Sequence, residues 1–249
     1  MWRCLAGRRA RARETAAAVC VLAALVAATS GLGVSPAAAA LALRGLDVSG
    51  HQAAVNWAAV RSGGAQFAYI KATDGIRVIN TRFASQYDGA YRAGLIRGAY
   101  HFARPNTSSG AAQARYFVAH GRGWSPDGRT LPGALDLEAN PHGPTCYGLS
   151  RSAMVTWIAG FTRTYHALAS RWPVIYTTRN WWRACTGGYT GFAIYDPLWV
   201  ARWATSPGPL PAGWSSYTFW QYSPHGTFPS DQDIFNGSAA KLRVLATGS

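Results

Sequence analysis

The chain has 249 residues, 49% of them hydrophobic and 13% aromatic, which is enough for a substantial core and too apolar for a disordered polypeptide. Lysine and arginine (24) outnumber aspartate and glutamate (10), and the formal net charge of +14 draws such a surface toward polyanions such as wall polymers, anionic lipid or nucleic acid. No basic run carries interleaved aromatics, so nucleic acid is set aside as a partner.

Residues 1–40 read as an export signal: Arg3, Arg8, Arg9, Arg11 and Arg13, then an apolar stretch from Thr15 to Ala28, then Ser35-Pro36-Ala37-Ala38-Ala39-Ala40. The small residues suit cleavage between Ala38 and Ala40. An apolar core of about fourteen residues is shorter than the ~20 a membrane span needs, so the expected product is secreted and free of the membrane once the leader is removed. Residues 41–249 then form one domain, for which a monomer suffices. Removing the five leader arginines and Glu14 leaves 19 basic and 9 acidic residues. Cys146 and Cys185 outlast the leader. In an exported protein one remaining pair most simply forms a disulfide, worth ~4 kcal/mol for a loop of about 40 residues, with two free thiols as the alternative. Neither lies in C-x-x-C and the six histidines form no ligand-spaced cluster, so no metal and no cofactor are expected.

From Gly45 short apolar runs alternate with amphipathic stretches: Gly45 to Ser49, then Trp57 to Ser62; Phe67 to Ala72, then Thr81 to Ala93; Gly98 to Ala103, then Ser109 to His120; Gly133 to Glu138, then Ser150 to Ala169; Val174 to Thr178. Strand-helix alternation predicts a parallel sheet with crossover helices. Met154, Ile158, Phe161 and Tyr165, at three- and four-residue spacing behind a serine cap, predict a helix face packed on the core. After Thr178 the runs Leu198 to Trp203, Tyr217 to Tyr222 and Ile234 to Phe235 are separated by Pro- and Gly-rich loops with little helical period. An α/β barrel whose last third has few helices accounts for this pattern. No repeats follow the leader, and no tandem wall-binding module is present.

Glu138 is the one glutamate outside the leader, and it closes the run Ala134-Leu135-Asp136-Leu137-Glu138. Period-two alternation puts Asp136 and Glu138 on one face, about 6.6 to 6.8 Å apart at the backbone. Two carboxyls sharing so small a volume resist joint ionisation, so the expectation is that one holds its proton near neutral pH while the other stays anionic, the acid and anion pairing of a glycosidase.

Polar residues gather at the other strand ends too: Asp47-Val48-Ser49-Gly50-His51-Gln52, Lys71-Ala72-Thr73-Asp74-Gly75, Tyr100-His101-Phe102, Tyr176-Thr177, Ala201-Arg202-Trp203, Gln221-Tyr222 and Asp231-Gln232-Asp233-Ile234-Phe235. This ordered series, from Gly45 to Gly237, resembles the glycoside hydrolase family 25 lysozymes, the N-acetylmuramidases that cut bacterial peptidoglycan. The resemblance implies a modified TIM-like barrel of eight strands over residues 41–249. It also implies cleavage of the β-1,4 bond between N-acetylmuramic acid and N-acetylglucosamine, with peptidoglycan as partner. By position it assigns the acid to Glu138, its helper to Asp136, the first-strand aspartate to Asp47 and the last acid to Asp231, with Asp233 as a second candidate.

Where the family commonly has K-A-T-E-G this chain has Asp74, so a contact to sugar made by the longer acid is expected to be lost or filled by water. Asp136, beside the acid on one strand, is poorly placed as nucleophile; the resemblance suggests that the substrate's own acetamido group attacks while Asp136 orients it. Tyr100, Tyr176, Trp203 and Tyr222 are candidate stacking surfaces for sugar rings. Most tryptophans are assigned to the core, with Trp181 and Trp182 expected to be exposed in a loop, and His101 is read as a core histidine. Two other readings compete: a barrel that binds peptidoglycan without cutting it, and a chitinase-like hydrolase, which also places D-x-E at a strand end.

Overall fold

The structure, a computed structural model, describes residues 42–248, so the expected leader lies outside the described residues. In chain order come β1 (Leu43–Val48), α1 (Trp57–Ser62), β2 (Ala65–Asp74), β3 (Val78–Ile79), α2 (Phe83–Arg92), β4 (Ile96–Phe102), α3 (Gly110–His120), β5 (Ala134–Leu137), α4 (Arg151–Ala169), β6 (Val174–Thr177) and α5 (Arg179–Thr186). A 3₁₀ turn (Gly191–Ile194), β7 (Leu198–Ala201), β8 (Phe219–Ser223), β9 (Asp231–Phe235) and α6 (Ala239–Thr247) complete it. Five helices start at a side-chain cap, Asn56, Ser109, Ser150, Thr178 and Ser238, each accepting from a first-turn amide.

The sheet order β1-β9-β8-β7-β6-β5-β4-β2, closed by β1 against β2, makes an eight-stranded barrel, and β3 extends β2 as a hairpin outside it. Neighbours from β1 through β8 pair in parallel, but β9 runs antiparallel to both β8 and β1. An all-parallel reading of the sequence therefore fails at the last strand. β8 and β9 are joined by a short loop without a crossover helix, which leaves only the antiparallel direction. Between β7 and β9 no helix is found, as the sequence suggested.

Alternation separates two cores. Phe67, Tyr69, Tyr100, Trp199, Phe219 and Phe235 point into the barrel, whereas Leu46, Ala68, Ile70, Leu135 and Ile175 point out against Trp57, Tyr87, Phe117, Phe161 and the buried stripe of α4. The inner rings are too large for eight full side chains at one level, and two glycines make room. A Cβ on Gly45 would lie 2.6 Å from the Phe67 ring, and one on Gly98 would lie 2.3 Å from Tyr69. Aromatic rings thus plug the barrel interior beneath the cavity at its upper end.

Two tryptophans differ from expectation. Trp181 and Trp182 lie on α5, where the sequence reading had a loop, and are 4% and 0% exposed. Their indoles donate to the Thr145 and Tyr189 carbonyls, which satisfies the single polar atom each ring carries. A disulfide joins Cys146, in the loop after β5, to Cys185 on α5, with Cα atoms 5.3 Å apart.

Candidate active site

Interior parity carries a set of polar side chains to the mouth. On β5 the inward residues are Ala134 and Asp136, and Glu138 follows one step past the strand; on β1 they are Gly45 and Asp47; on β8 Phe219 and Gln221. Asp231 begins β9 rather than ending it. Because β9 is antiparallel, its first residue pairs with Asp47 and reaches the same end of the barrel. Asp47, Asp136, Glu138 and Asp231 thereby face one cavity of about 250 Å³, with Lys71, Tyr100, Tyr176, Trp203 and Gln221 among its walls. A second hollow, lined by His51, Gln52, His225 and Phe228, continues from the Asp47 and Asp231 side and lengthens the mouth into a cleft.

The carboxyls there are short of compensating donors. Asp136 is 6% exposed, and its Oδ1 is buried without a hydrogen-bond partner. Burial, then the charge of Glu138, pushes Asp136 well above the usual carboxylate range. Glu138 is raised by burial as well, with Lys71 pulling it down and Asp231 pushing it up. Burial and the negative charges around them raise both carboxyls, so the pair resists joint ionisation. Asp136 lies the deeper of the two and has no donor on Oδ1. Across the cavity Asp47 is raised to about 7 by burial and by Asp231, against the hydrogen bond donated by Gln221. Burial raises Asp231, and His225 opposes that.

Gln221, not singled out in the sequence, ties the far wall together. Its Nε2 donates to Asp47 Oδ2 at 2.8 Å, while its Oε1 accepts from Tyr176 OH at 3.0 Å and Trp203 Nε1 at 3.1 Å. Only an amide oxygen can accept from both rings, so the nitrogen must face Asp47. Trp203, 63% exposed, presents its ring at the rim on this tether. The signal was available: Gln221 shares the inward parity of Phe219.

Three candidate residues lie elsewhere. Tyr222 has the outward parity of Trp220, packs against that ring at 5.8 Å, and does not line the cavity. Asp233 is 0% exposed, one layer below Asp47, and cannot touch a sugar. Asp74 follows a register shift in β2 and lines a neighbouring hollow with Arg77 and Arg104. It pairs with Arg104 Nε at 2.6 Å and Lys71 Nζ at 3.0 Å. Burial alone would raise Asp74, but these two cations hold it below the usual range. Both cations also sit over the Phe102 ring, at 4.5 and 4.4 Å, so the group forms a fixed rim beside Glu138.

The family model for "Glycosyl hydrolases family 25" matches residues 46–231, nearly all of the barrel. The chain belongs to glycosyl hydrolases family 25. It is 52% identical over 212 residues to "Lysozyme M1" of Streptomyces globisporus, covering 83% of this chain and 72% of that protein. It is 47% identical over 228 residues to the "N,O-diacetylmuramidase" of Arthroderma benhamiae, covering 90% and 97% of the two chains. Among solved structures, the muramidase from Acremonium alcalophilum superposes with a TM-score of 0.81 at 56% identity, covering 83% of this chain and all of that one. This family 25 protein is a glycoside hydrolase, a lysozyme, and the site acids of its mouth fall within or at the edge of the matched segment.

Proposed function

We propose that this lysozyme cuts the β-1,4 bond between N-acetylmuramic acid and N-acetylglucosamine in peptidoglycan, with Glu138 as general acid and the substrate's 2-acetamido group as nucleophile. The observation that carries the reading is the Asp136 and Glu138 pair, inward-facing on one strand end, with Asp136 Oδ1 buried and unpartnered at the floor of an open cavity. Glu138 gives its proton to the leaving sugar oxygen as the C1–O bond breaks, and the acetamido oxygen bonds to C1. Asp136, the anion of the pair, accepts the amide N–H and balances the cationic ring that forms. Glu138, now a carboxylate, takes a proton from the water that opens the ring, so the anomeric configuration is retained.

Asp136 stands beside the acid and not across the cleft, which supports this route over direct attack. Asp47 and Asp231 form the opposite wall and hold sugar hydroxyls or water. Tyr100, Tyr176 and the exposed Trp203 supply apolar surface for pyranose faces. With every acid in place, nothing at the mouth favours a barrel that binds without cutting, and the similarity to muramidases favours peptidoglycan over chitin.

Mass spectrometry of fragments from a defined peptidoglycan, together with proton NMR of the first product, tests the reading. The expected result is N-acetylmuramic acid at the new reducing end in the β configuration. N-acetylglucosamine at that end would overturn the bond assignment. An α anomer would overturn the acetamido route in favour of water activated from the Asp231 side. Residues 1–40 are read as a leader removed on export, and N-terminal sequencing of the exported protein should start near Ala39.

A further inference from the structure

Asp233 has surroundings unlike those of any other acid in the barrel. Wholly buried, it accepts a hydrogen bond at Oδ1 from Trp199 Nε1 at 2.8 Å, while its Oδ2 is buried with no donor directed at it. Register sets it between Gly45 on β1 and Gln221 on β8, one layer below Asp47. The titratable groups facing it are Asp47 on β1, Tyr69 on β2 and Asp231 on its own strand. Besides Asp233, those facing Asp47 are Asp231, Asp136 on β5, Glu138 after it, Tyr100 on β4 and Tyr176 on β6. Neither aspartate belongs to an ion pair among the described residues.

An ionised carboxylate at Asp233 would have one donor, no cation and a second carboxyl against it, an arrangement protein interiors avoid. A neutral carboxylic acid removes the conflict: its O–H needs an acceptor, and Asp47 is the acceptor within reach.

We propose that Asp233 is a carboxylic acid that keeps its proton at neutral pH and donates it in a hydrogen bond to Asp47, so that Asp233 from below and Gln221 from the side orient Asp47 and hold it as the anion of the cleft's far wall. Asp233 is thus a positioning residue: it acts through Asp47 and touches no substrate. Two donors also explain how Asp47, beneath a neighbouring acid and largely out of water, ionises near neutral pH at all. The inference rests on the role given above to Asp47, and its test has one readout independent of activity.

Asp233→Asn keeps size, donor and the Trp199 contact but cannot ionise. In infrared difference spectra of the purified enzyme at pH 7, Asp233→Asn should lose one C=O stretch of a protonated carboxylic acid. The acid limb of its kcat/KM profile on peptidoglycan should stay within about 0.3 pH unit of the parent, because the conservative variant rescues the donor. Asp233→Leu removes the donor, and its acid limb should move up by about one pH unit or more, since a lost hydrogen bond to a charged group raises the affinity of Asp47 for its proton. If Asp233→Leu does not fold, Asp233→Asn alone decides. No band lost in Asp233→Asn, or an acid limb shifted down by about one pH unit as when a neighbouring negative charge is deleted, overturns the proposal. Unchanged activity in Asp47→Asn would overturn the role of Asp47, and the band would still report whether Asp233 carries a proton.

Discussion

Two buried polar clusters lie on opposite sides of the same barrel wall, and they behave differently. On the outer side His101 of β4 packs against the rings of Phe117 and Phe161, at 5.6 and 5.3 Å. Its Nδ1 meets Thr73 Oγ1 at 2.7 Å and its Nε2 meets Gln113 Oε1 at 2.9 Å, so the ring donates from Nε2 and accepts from the threonine. Burial lowers it to about 4, and it stays neutral with both nitrogens satisfied. On the inner side, one residue away along β4, Tyr100 faces carboxyls whose oxygens are not all satisfied. A polar group that is buried and fully partnered stabilises one conformation. One that is buried and under-partnered beside an open cavity is held ready for a ligand. The cavity is essential to that rule. Asp196 is also buried with an unpartnered Oδ1, but it lies outside the mouth, and its cost there is one of stability alone.

Several variants break or sharpen this contrast. Glu138→Gln should lower kcat for release of reducing ends from purified peptidoglycan by about 10²–10⁴-fold, the usual worth of a general acid. Its thermal stability should be kept or raised, because a buried acid is exchanged for a neutral amide. Asp136→Asn should cost about 10²–10³-fold in kcat, with KM little changed if its contact strengthens in the transition state. Steady-state kinetics with a soluble peptidoglycan fragment separates the two parameters.

The paired change Cys146→Ser and Cys185→Ser should destabilise by ~2–4 kcal/mol in denaturant titration. It also frees the loop that follows Glu138, so activity should fall at temperatures well below global unfolding. Asp196→Asn should act in the opposite direction. Burial raises Asp196 to about 8 from an ordinary 3.8, so between those values the native state keeps a proton that the unfolded chain has lost. Wild-type stability should therefore fall by at most about 1.4 kcal/mol per pH unit from this group as pH rises through that window. The variant should flatten the slope between pH 4 and 8 and melt higher at pH 7. Smallest in effect, Thr73→Val should cost ~1–3 kcal/mol by orphaning His101 Nδ1, while activity per folded molecule is unchanged. A fall in activity without a fall in stability would erase the distinction between the two clusters.

Much of the fold could be read from alternation alone. The strand and helix series through Val174 has a tertiary counterpart at each step, as does the serine cap of α4, and His101 is the core histidine expected. The misreadings share a cause. Tyr222 looked like a sugar platform because it is aromatic and at a strand end, yet parity turns it outward beside Trp220. Trp181 and Trp182 looked exposed because α5 is only eight residues long and rich in arginine, so its apolar face is too short to register as a period. Asp233 and Asp231 sit in one short motif, and which of them faces the cleft depends on β9 being antiparallel to β1.

By itself the sequence determined the inventory and the faces: which residues alternate inward, which helices flank them, and that two carboxyls would share a strand end. Those follow from the two-residue period of a strand, which is local. Depth and company were decided only by the folded barrel. Closure brought Asp47, Asp231 and Gln221 from the two ends of the chain to face Asp136 and Glu138, and glycines at 45 and 98 let aromatic rings fill the lower layers. A carboxyl's proton affinity is set by how much water it loses and by which donors and charges it gains, and those neighbours lie far from it along the chain.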